Sequence, residues 1–566
     1  MDFRSNWNEA VGLWKQSGGH TRPVAERTEV HAAPAAARYL LMAAEHNRTG
    51  EVATERVLQN LRTMQVTDHG AKHGCLRWYW EEDEPVDTNA AFFVALSLIP
   101  LHARYTDRLT ETERHLLEAI LDDLQIWFAA QCRHRAEYYP NKYLGDLVCG
   151  WLLTEATDRQ EADGDAIAQR MREAAAYWRQ NGWGWGEHLA DIYATVCLNE
   201  LSLLLLLAKR LPEDVHETYY SLFAELLALD DAFGGEPRVP AIRSYAFQQP
   251  PRHQRFRDAI PRELPDSDTA LPQPGGVHGA ILARLYCELG WHRLAPAPQP
   301  PVTPQTDIRI SCFGGAEAVA HCLPDVRVGS LTRFPLMPSA DHPTWGLSWQ
   351  TFPVALWRPD GDWAFLQWSV TEGGQERCHP AENKKTAYLA NTLTPSVNPP
   401  ITGRTFARQV GGNVLVLRLF PAIPGAAEQI ADRLRVVQPS PDWQEGNGGS
   451  DWYERLLRTD KRTIQVACVP LPLGTIAPVV RSYPQGTDWQ VIRDRSALDG
   501  MRLFVTLWAI SLDGAIDSEP EWHEPDLPPV PRAPEERAYD LTWRWQSHTW
   551  KVRIDPLAPE PLTAIE

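Results

Sequence analysis

Near residue 300 the chain changes its repeat period, and little else in the sequence limits the fold as much. The change falls on Ala295-Pro-Ala-Pro-Gln-Pro-Pro-Val-Thr-Pro304, five prolines in ten residues. Proline has no backbone N–H and a fixed φ, so this stretch ends any helix before it and reads as a stiff linker. Apolar residues before it recur at helical spacing; after it they alternate. With 566 residues the chain also exceeds one ordinary core. Three parts are expected: a helical domain over 1–294, a Pro-rich linker over 295–305 and an antiparallel β domain over 306–566.

Roughly ten helices are predicted in the first part. Asn6 to Lys15 reads as short and amphipathic. Ala33 to Glu45, Glu51 to Met64 and Asn89 to Tyr105 follow, with Asp87 or Thr88 available as a cap. Thr110 and Glu113 form a T-x-x-E capping box before a stretch running to His134. Leu144 to Glu155, Ala166 to Gln180, a helix within Asn181 to Leu207, Asp214 to Leu229 and Val277 to Leu289 complete the set. No fixed-period repeat is present, which argues against a short-repeat solenoid. The run Leu201 to Leu207 is apolar on nearly every side, as in a helix buried all round. Paired antiparallel helices in a ring, an α/α toroid, provide such inner positions. The Pro-, Arg- and Gln-rich segment from Phe233 to Pro274 reads as one long loop, and such loops often carry function.

In the second part Thr344 to Trp357, Trp363 to Val370, Asn413 to Phe420, Thr463 to Val469 and Leu503 to Ile510 alternate and are separated by Gly, Pro and Asp-Gly turns. Many short strands without intervening helices predict an antiparallel β-sandwich. Tyr539 to Ile554 reads as a closing hairpin.

A formal net charge of −18 and a pI near 5.5 argue against general affinity for nucleic acid or an anionic membrane. An anionic substrate stays compatible, because a local Arg/His cluster can outweigh the global sign within a Debye length. The nine cysteines are scattered, odd in number and without CxxC, so buried reduced thiols are expected rather than a disulfide frame or zinc site. The first residues, MDFRSNWNEAVGLWKQ, show no basic segment followed by an apolar one, which reads as a cytoplasmic protein. No cofactor and no metal are called for. The 23 tryptophans suit stacking on sugar rings as well as core filling.

Candidate chemistry concentrates in NGWGWGEHLADIYATVCLNELSLLLLL, Asn181 to Leu207. A Gly/Trp turn leads into Glu187, His188, Asp191 and Tyr193, and these into the apolar run. Two readings fit: a buried helix with an ordinary polar cap, or an inner helix whose N-terminal end opens into a site. Asn141-Lys-Tyr-Leu-Gly-Asp146 opens another helix about fifty residues earlier. The pair, Asn141 and Tyr143 then Gly186, His188 and Tyr193, resembles the helical-toroid polysaccharide lyases of the heparinase II/III, alginate-lyase and hyaluronate-lyase type. Those carry an Asn in an Asn-x-aromatic context, then a Gly-x-His-x-x-x-x-Tyr segment before a long apolar helix. A helical half followed by a β-sandwich half matches them as well. Two positions depart from the pattern: Glu187 follows Gly186 in Trp-Gly-Glu where Asp-Gly is usual, and Tyr143 replaces the usual Trp.

The resemblance implies β-elimination on a uronate-containing oligo- or polysaccharide. The C5 proton lies α to a carboxylate whose charge opposes further negative charge, so a donor must neutralise it, a base must take the proton and an acid must protonate the leaving O4. Asn141 would clamp the carboxylate, Tyr193 would be the Brønsted group, and His188 its partner or the base on the other face. A free phenol has a pKa near 10, so Tyr193 needs a cation nearby, and Arg238 and Arg243 are the candidates. On one ideal helix positions 188 and 193 stand about 140° apart, so the two converge only if His188 lies in a preceding turn. Trp80, Tyr139, Tyr143 and Trp185 are expected subsites, and His342, His379 or Tyr388 the contribution of the β domain. Each of these residues is equally readable as core or cap. A second function uses carboxylates on the same scaffold: Glu187 and Asp191 with Asp146, Asp230 or Asp231 as the acid/base pair of a glycoside hydrolase. A third is a non-catalytic carbohydrate binder. The oligomeric state is left open.

Overall fold

The computed structural model describes the chain apart from residues 1–3, 158–162, 185, 251–253, 265–281, 298–305, 338–349, 360–362, 382–402, 421–424, 438–442, 447–451, 459–460, 474–477, 484–485, 513–515, 517, 527–530, 546–547 and 566. Contacts divide it into two units. One comprises Met1–His188, Ile192–Glu236 and His253–Pro300; the other Leu189–Asp191, Pro237–Arg252 and Pro301–Glu566.

The first unit is an α/α toroid of helix hairpins. Its helices are α1 (Ala33–Glu45), α2 (Thr54–Met64), α3 (Ala90–Tyr105), α4 (Glu111–Gln131), α5 (Pro140–Ala156), α6 (Asp165–Gln180), α7 (Tyr193–Leu207), α8 (Glu213–Phe233), α9 (Ala283–Glu288) and α10 (Trp291–Leu294). Odd helices pack in series, α1 on α3, α3 on α5 and α5 on α7, while α2 meets α4 and α6 meets α8. An inner and an outer row follow. Burial separates them: fourteen of the seventeen residues of α5 are buried, against seven of twenty-one in α4. The rows explain the patterns. Outer helices need one apolar stripe, whereas an inner helix is covered on all sides, as in α7. The predicted capping box is present, Thr110 and Glu113 each accepting from the other's backbone N–H.

The first thirty residues depart from expectation. Asn6 to Lys15 is no helix: Trp7–Asn8, Leu13–Ser17 and Glu29–His31 form a three-stranded antiparallel sheet. Asn6 (φ 64°) and Gly12 (φ 78°) take left-handed conformations that interrupt a helix, and the Asn8 side chain accepts from the N–H groups of Ala10 and Val11 to make a turn. Trp7 then faces Trp14 across the hairpin with ring centroids 4.9 Å apart, and Trp14 stacks on Tyr39 of α1. Of the last predicted helix, Val277 to Leu289, residues 277–281 lie outside the described residues, and among the described ones Ala283–Glu288 is helical.

The second unit is antiparallel throughout its described ladders and has three layers. A nine-stranded sheet runs in the order 479–483, 486–494, 429–437, 363–372, 354–357, 327–331, 317–322, 306–311, with 375–379 paired to 363–372. A seven-stranded sheet runs 443–445, 453–458, 463–471, 504–511, 413–420, 404–410, 333–334. The predicted hairpin Tyr539 to Ile554 forms inside a four-stranded sheet of its own, from 521–523 to 562–564. Val414 and Val416 pack with Val354, Leu366 and Leu434 of the nine-stranded sheet. Their neighbours Leu415, Leu417 and Leu419 pack with Trp543, Trp550 and Ile554 of the four-stranded one. The seven-stranded sheet is therefore a middle layer buried on both faces. That is why Asn413–Phe420 and Phe504–Ser511 are buried along their whole length, although the alternation read in them predicted one buried and one open face.

The contact grouping is not a simple division of the chain at its Pro-rich linker. Residues 237–252 of the predicted long loop belong with the β unit. Ala241 and Phe352 exchange backbone hydrogen bonds (2.7 and 3.3 Å), Ser244 N–H donates to the Gln350 carbonyl (2.7 Å), and the Trp363 indole donates to the Ala246 carbonyl (2.8 Å). At the strand residue Gly329 a Cβ would stand 2.3 Å from the Val239 backbone, so the segment lies directly on the sheet.

Candidate active site

In the helical unit the starts of α5 and α7 are built against one another. Pro140 occupies the first turn of α5, where its missing N–H costs nothing. The Gly/Trp turn before α7 is a run of left-handed residues: Gly182 (φ 50°), Trp183 (57°), Gly184 (61°) and Gly186 (91°). Gly184 lies so close to the loop before α5 that a Cβ would stand 2.6 Å from the Tyr138 carbonyl oxygen. The Trp178 indole donates to the Glu137 carbonyl at 2.7 Å, fixing the same loop from α6.

Trp183 is stacked between Trp178 (5.5 Å, 4° between planes) and His188 (6.4 Å, 25°). His188, buried, lies in a 3-10 turn (Glu187–Leu189) ahead of α7, and Tyr193, half-buried, is the first residue of α7. The condition set by helical geometry is met, since the two are not on one continuous helix. Asn141 is buried at the second position of α5. Its backbone N–H donates to Glu187 Oε2 at 2.8 Å and its side-chain Nδ2 donates to Glu187 Oε1. The two motif halves are thus joined directly, through a residue the sequence reading assigned to the rival carboxylate pair.

Deeper between α5 and α7 lies a second acidic layer. Lys142 Nζ reaches Asp146 Oδ2 at 2.5 Å. Glu200 of α7 is wholly buried, and among the described residues neither of its carboxyl oxygens has a hydrogen-bond donor. Gly145 makes room for it, since a Cβ there would stand 2.7 Å from Oε1. Burial first, then the nearby Glu187 and Asp146, push the Glu200 carboxyl well above the usual carboxylate range. The reading from sequence missed Glu200. Its signal was there: one acid inside LNELSLLLLL, on a helix apolar all round.

Arg238 and Arg243 belong to the β unit, as do Leu189–Asp191. Arg238, buried, directs Nη1 at the Ala190 carbonyl (3.5 Å), and Ser244 Oγ donates to Asp191 Oδ2 (3.3 Å). Arg243 is buried with φ 48°, a conformation non-glycine residues rarely hold and one that clusters at functional sites. Its N–H donates to Thr351 Oγ1 at 3.4 Å.

The expected subsites fare differently. Trp80 and Tyr139 are half-buried in the loops before α3 and α5. Tyr143 is a core residue rather than a stacking platform: it is 1 % exposed and its hydroxyl donates to the Cys132 carbonyl at 3.0 Å. His379 is buried in the β unit, stacked on Trp368 at 5.2 Å, with its pKa pushed down to about 3 by burial and by Arg418. A ring so enclosed and neutral is a packing element of its sheet. Trp185, His342 and Tyr388 lie outside the described residues. The carboxylates of the hydrolase reading are each engaged locally. Glu187 holds Asn141, Asp146 holds Lys142 and Asp191 accepts from Ser244. Asp230 accepts from the Phe256 N–H at 2.6 Å, and Asp231 pairs with Arg257 at 2.9 Å.

No family model matches this chain, and no curated protein does. Among solved structures it is similar to heparinase III, at 11 % identity and a TM-score of 0.41 over 82 % of this chain and 75 % of that one. It is also similar to a mutant of the heparan sulfate lyase HepC from Pedobacter heparinus, at 10 % identity and a TM-score of 0.35 over 89 % of this chain and 79 % of that one.

Proposed function

We propose that this chain is a polysaccharide lyase that cleaves a uronate-containing glycan by β-elimination, with its reacting groups at the starts of α5 and α7. The observation that carries the reading is the Glu187–Asn141 link. It joins the two segments that the motif pairs, one holding a carboxamide and the next residue after Glu187 holding an imidazole. In this mechanism Asn141 donates an N–H to the substrate carboxylate and stabilises the enolate that forms when the C5 proton leaves. The Tyr193 hydroxyl and the His188 ring are the two Brønsted groups. One takes the C5 proton, its electron pair becomes the C4–C5 double bond, the C4–O4 bond breaks, and the other returns a proton to O4. Trp80 and Tyr139 would flank the sugars as half-buried aromatic surfaces.

The test is direct. The purified protein is incubated with a panel of uronate-containing oligosaccharides, and short-wavelength ultraviolet absorbance is followed alongside new reducing ends. Elimination produces a conjugated unsaturated uronate and so raises both. Reducing ends without the absorbance would replace this reading by hydrolysis, and binding without either product would replace it by a carbohydrate-binding role.

A further inference from the structure

We propose that Glu187 is a positioning residue whose task is to orient the Asn141 amide toward the substrate carboxylate; the role rests on the lyase reading above. Glu187 is completely buried, and both of its oxygens are used on Asn141, one on the backbone N–H and one on the side-chain Nδ2. A carboxamide is nearly symmetric in shape, and its O and N ends exchange by a simple flip. Two acceptor oxygens on one side remove that freedom, because only the NH₂ end can face them. One N–H of Nδ2 is thereby spent on Glu187 and the other is directed away from it.

A helix cap alone does not account for this arrangement. Asn141 holds one of the first N–H groups of α5, which have no partner within the helix, and the N-cap residue Tyr139 supplies no side-chain bond. A Ser or Asp at position 139 would satisfy that N–H locally. Instead the acceptor comes from 46 residues away, as a fully buried carboxylate, which is costly to desolvate. The added result is the second bond, to the side chain. Glu187 also sits immediately before His188, whose ring is stacked on Trp183, so one 3-10 turn sets both the clamp and the neighbouring Brønsted group.

A double-mutant cycle tests the role, on a uronate-containing oligosaccharide that the native protein cleaves, with kcat and KM measured separately for Glu187→Ala, Asn141→Ala and the pair. Glu187→Ala is expected to lower kcat by about 10- to 100-fold with a smaller change in KM, since the clamp acts on the charge that develops. The pair should then be no slower than about threefold below Asn141→Ala alone, because a positioning residue has nothing left to position. Multiplying effects overturn the proposal, since they mean that Glu187 acts independently of Asn141. If Glu187→Ala loses its thermal transition, Glu187→Gln replaces it in the cycle. Gln keeps one acceptor oxygen and faces an NH₂ to the other donor, so an intermediate kcat is expected and unchanged kcat overturns the role. Asn141→Ala at native speed, or absence of unsaturated product from the native protein, removes the lyase reading itself and this role with it; a slow Asn141→Ala with multiplying effects removes the Glu187 role alone.

Discussion

Gly184→Ala probes the contact on which the candidate site depends. Gly184 has φ 61°, and an added Cβ would stand 2.6 Å from the Tyr138 carbonyl oxygen and 2.9 Å from its Cα, both backbone atoms that cannot swing aside. Holding an alanine in the left-handed region costs about 1–2 kcal/mol. Forcing extra volume into a packed contact costs about 1–3 kcal/mol more. The sum, about 2–5 kcal/mol, corresponds to a fall of roughly 4–20 °C in the transition of the helical unit, at about 2–4 °C per kcal/mol for large domains. Scanning calorimetry reads it, with the β unit as internal reference, because two units need not unfold as one. Gly70→Ala is the control: nothing lies within 4 Å of its Cβ position, and its change should stay within about 0.5 kcal/mol. The same displacement separates the loop before α5 from the turn carrying Glu187, so Asn141 should lose its alignment, and turnover should fall with stability. A helical-unit transition unchanged from native would refute the packing described for this turn.

Tyr193→Phe keeps the ring and removes the hydroxyl; if that hydroxyl moves a proton, kcat should drop by roughly 10²–10⁴-fold with little change in melting temperature, and near-native kcat would retire its role. Asn141→Ala should slow the same step by about 10²–10³-fold, read in the same absorbance assay. Two buried groups, one in each unit, should make opposite contributions to the pH dependence of stability. In the helical unit burial, and next Glu288, raise Glu45 of α1 from 4.5 to about 8. The folded state therefore holds the proton more tightly than the unfolded one. That stabilisation is complete below about pH 4.5 and is lost as pH climbs through about 8, with a ceiling of about 5 kcal/mol; Glu45→Gln should flatten the slope in thermal melts. In the β unit His379, depressed from 6.5 to about 3, favours the neutral folded form. Its stabilisation is complete above about pH 6.5 and disappears as pH falls through about 3, which acid titration of the β-unit transition should register and His379→Phe should remove.

What the sequence determined was whatever local chemistry controls. The Thr110/Glu113 box starts α4 where predicted, and α1 runs from Ala33 to Glu45 as read, because caps and apolar spacing act within a few residues. Alternation and turn residues likewise placed the strands at Asn413–Phe420 and near Thr463, Leu503 and Tyr539. They also placed Asn141 and Tyr193 at two helix starts, since Pro140 and the Gly/Trp turn mark those ends. Tertiary structure decided the rest. Asn6 to Lys15 is apolar at helical spacing, yet left-handed Asn6 and Gly12 and the pairing of Trp7 with Trp14 make it a hairpin. The closing hairpin becomes a third layer because the middle sheet has a second apolar face to cover. Most consequentially, Glu187 and Asp191 are four residues apart on paper and share a helix face there, but the chain sends them to different partners. Glu187 turns to Asn141, whereas Asp191 groups with the β unit and accepts from Ser244 within it. Spacing along a chain fixes which side chains can share a helix face. Which buried donor satisfies which carboxylate is set by chain segments tens of residues away, and no local pattern encodes that choice.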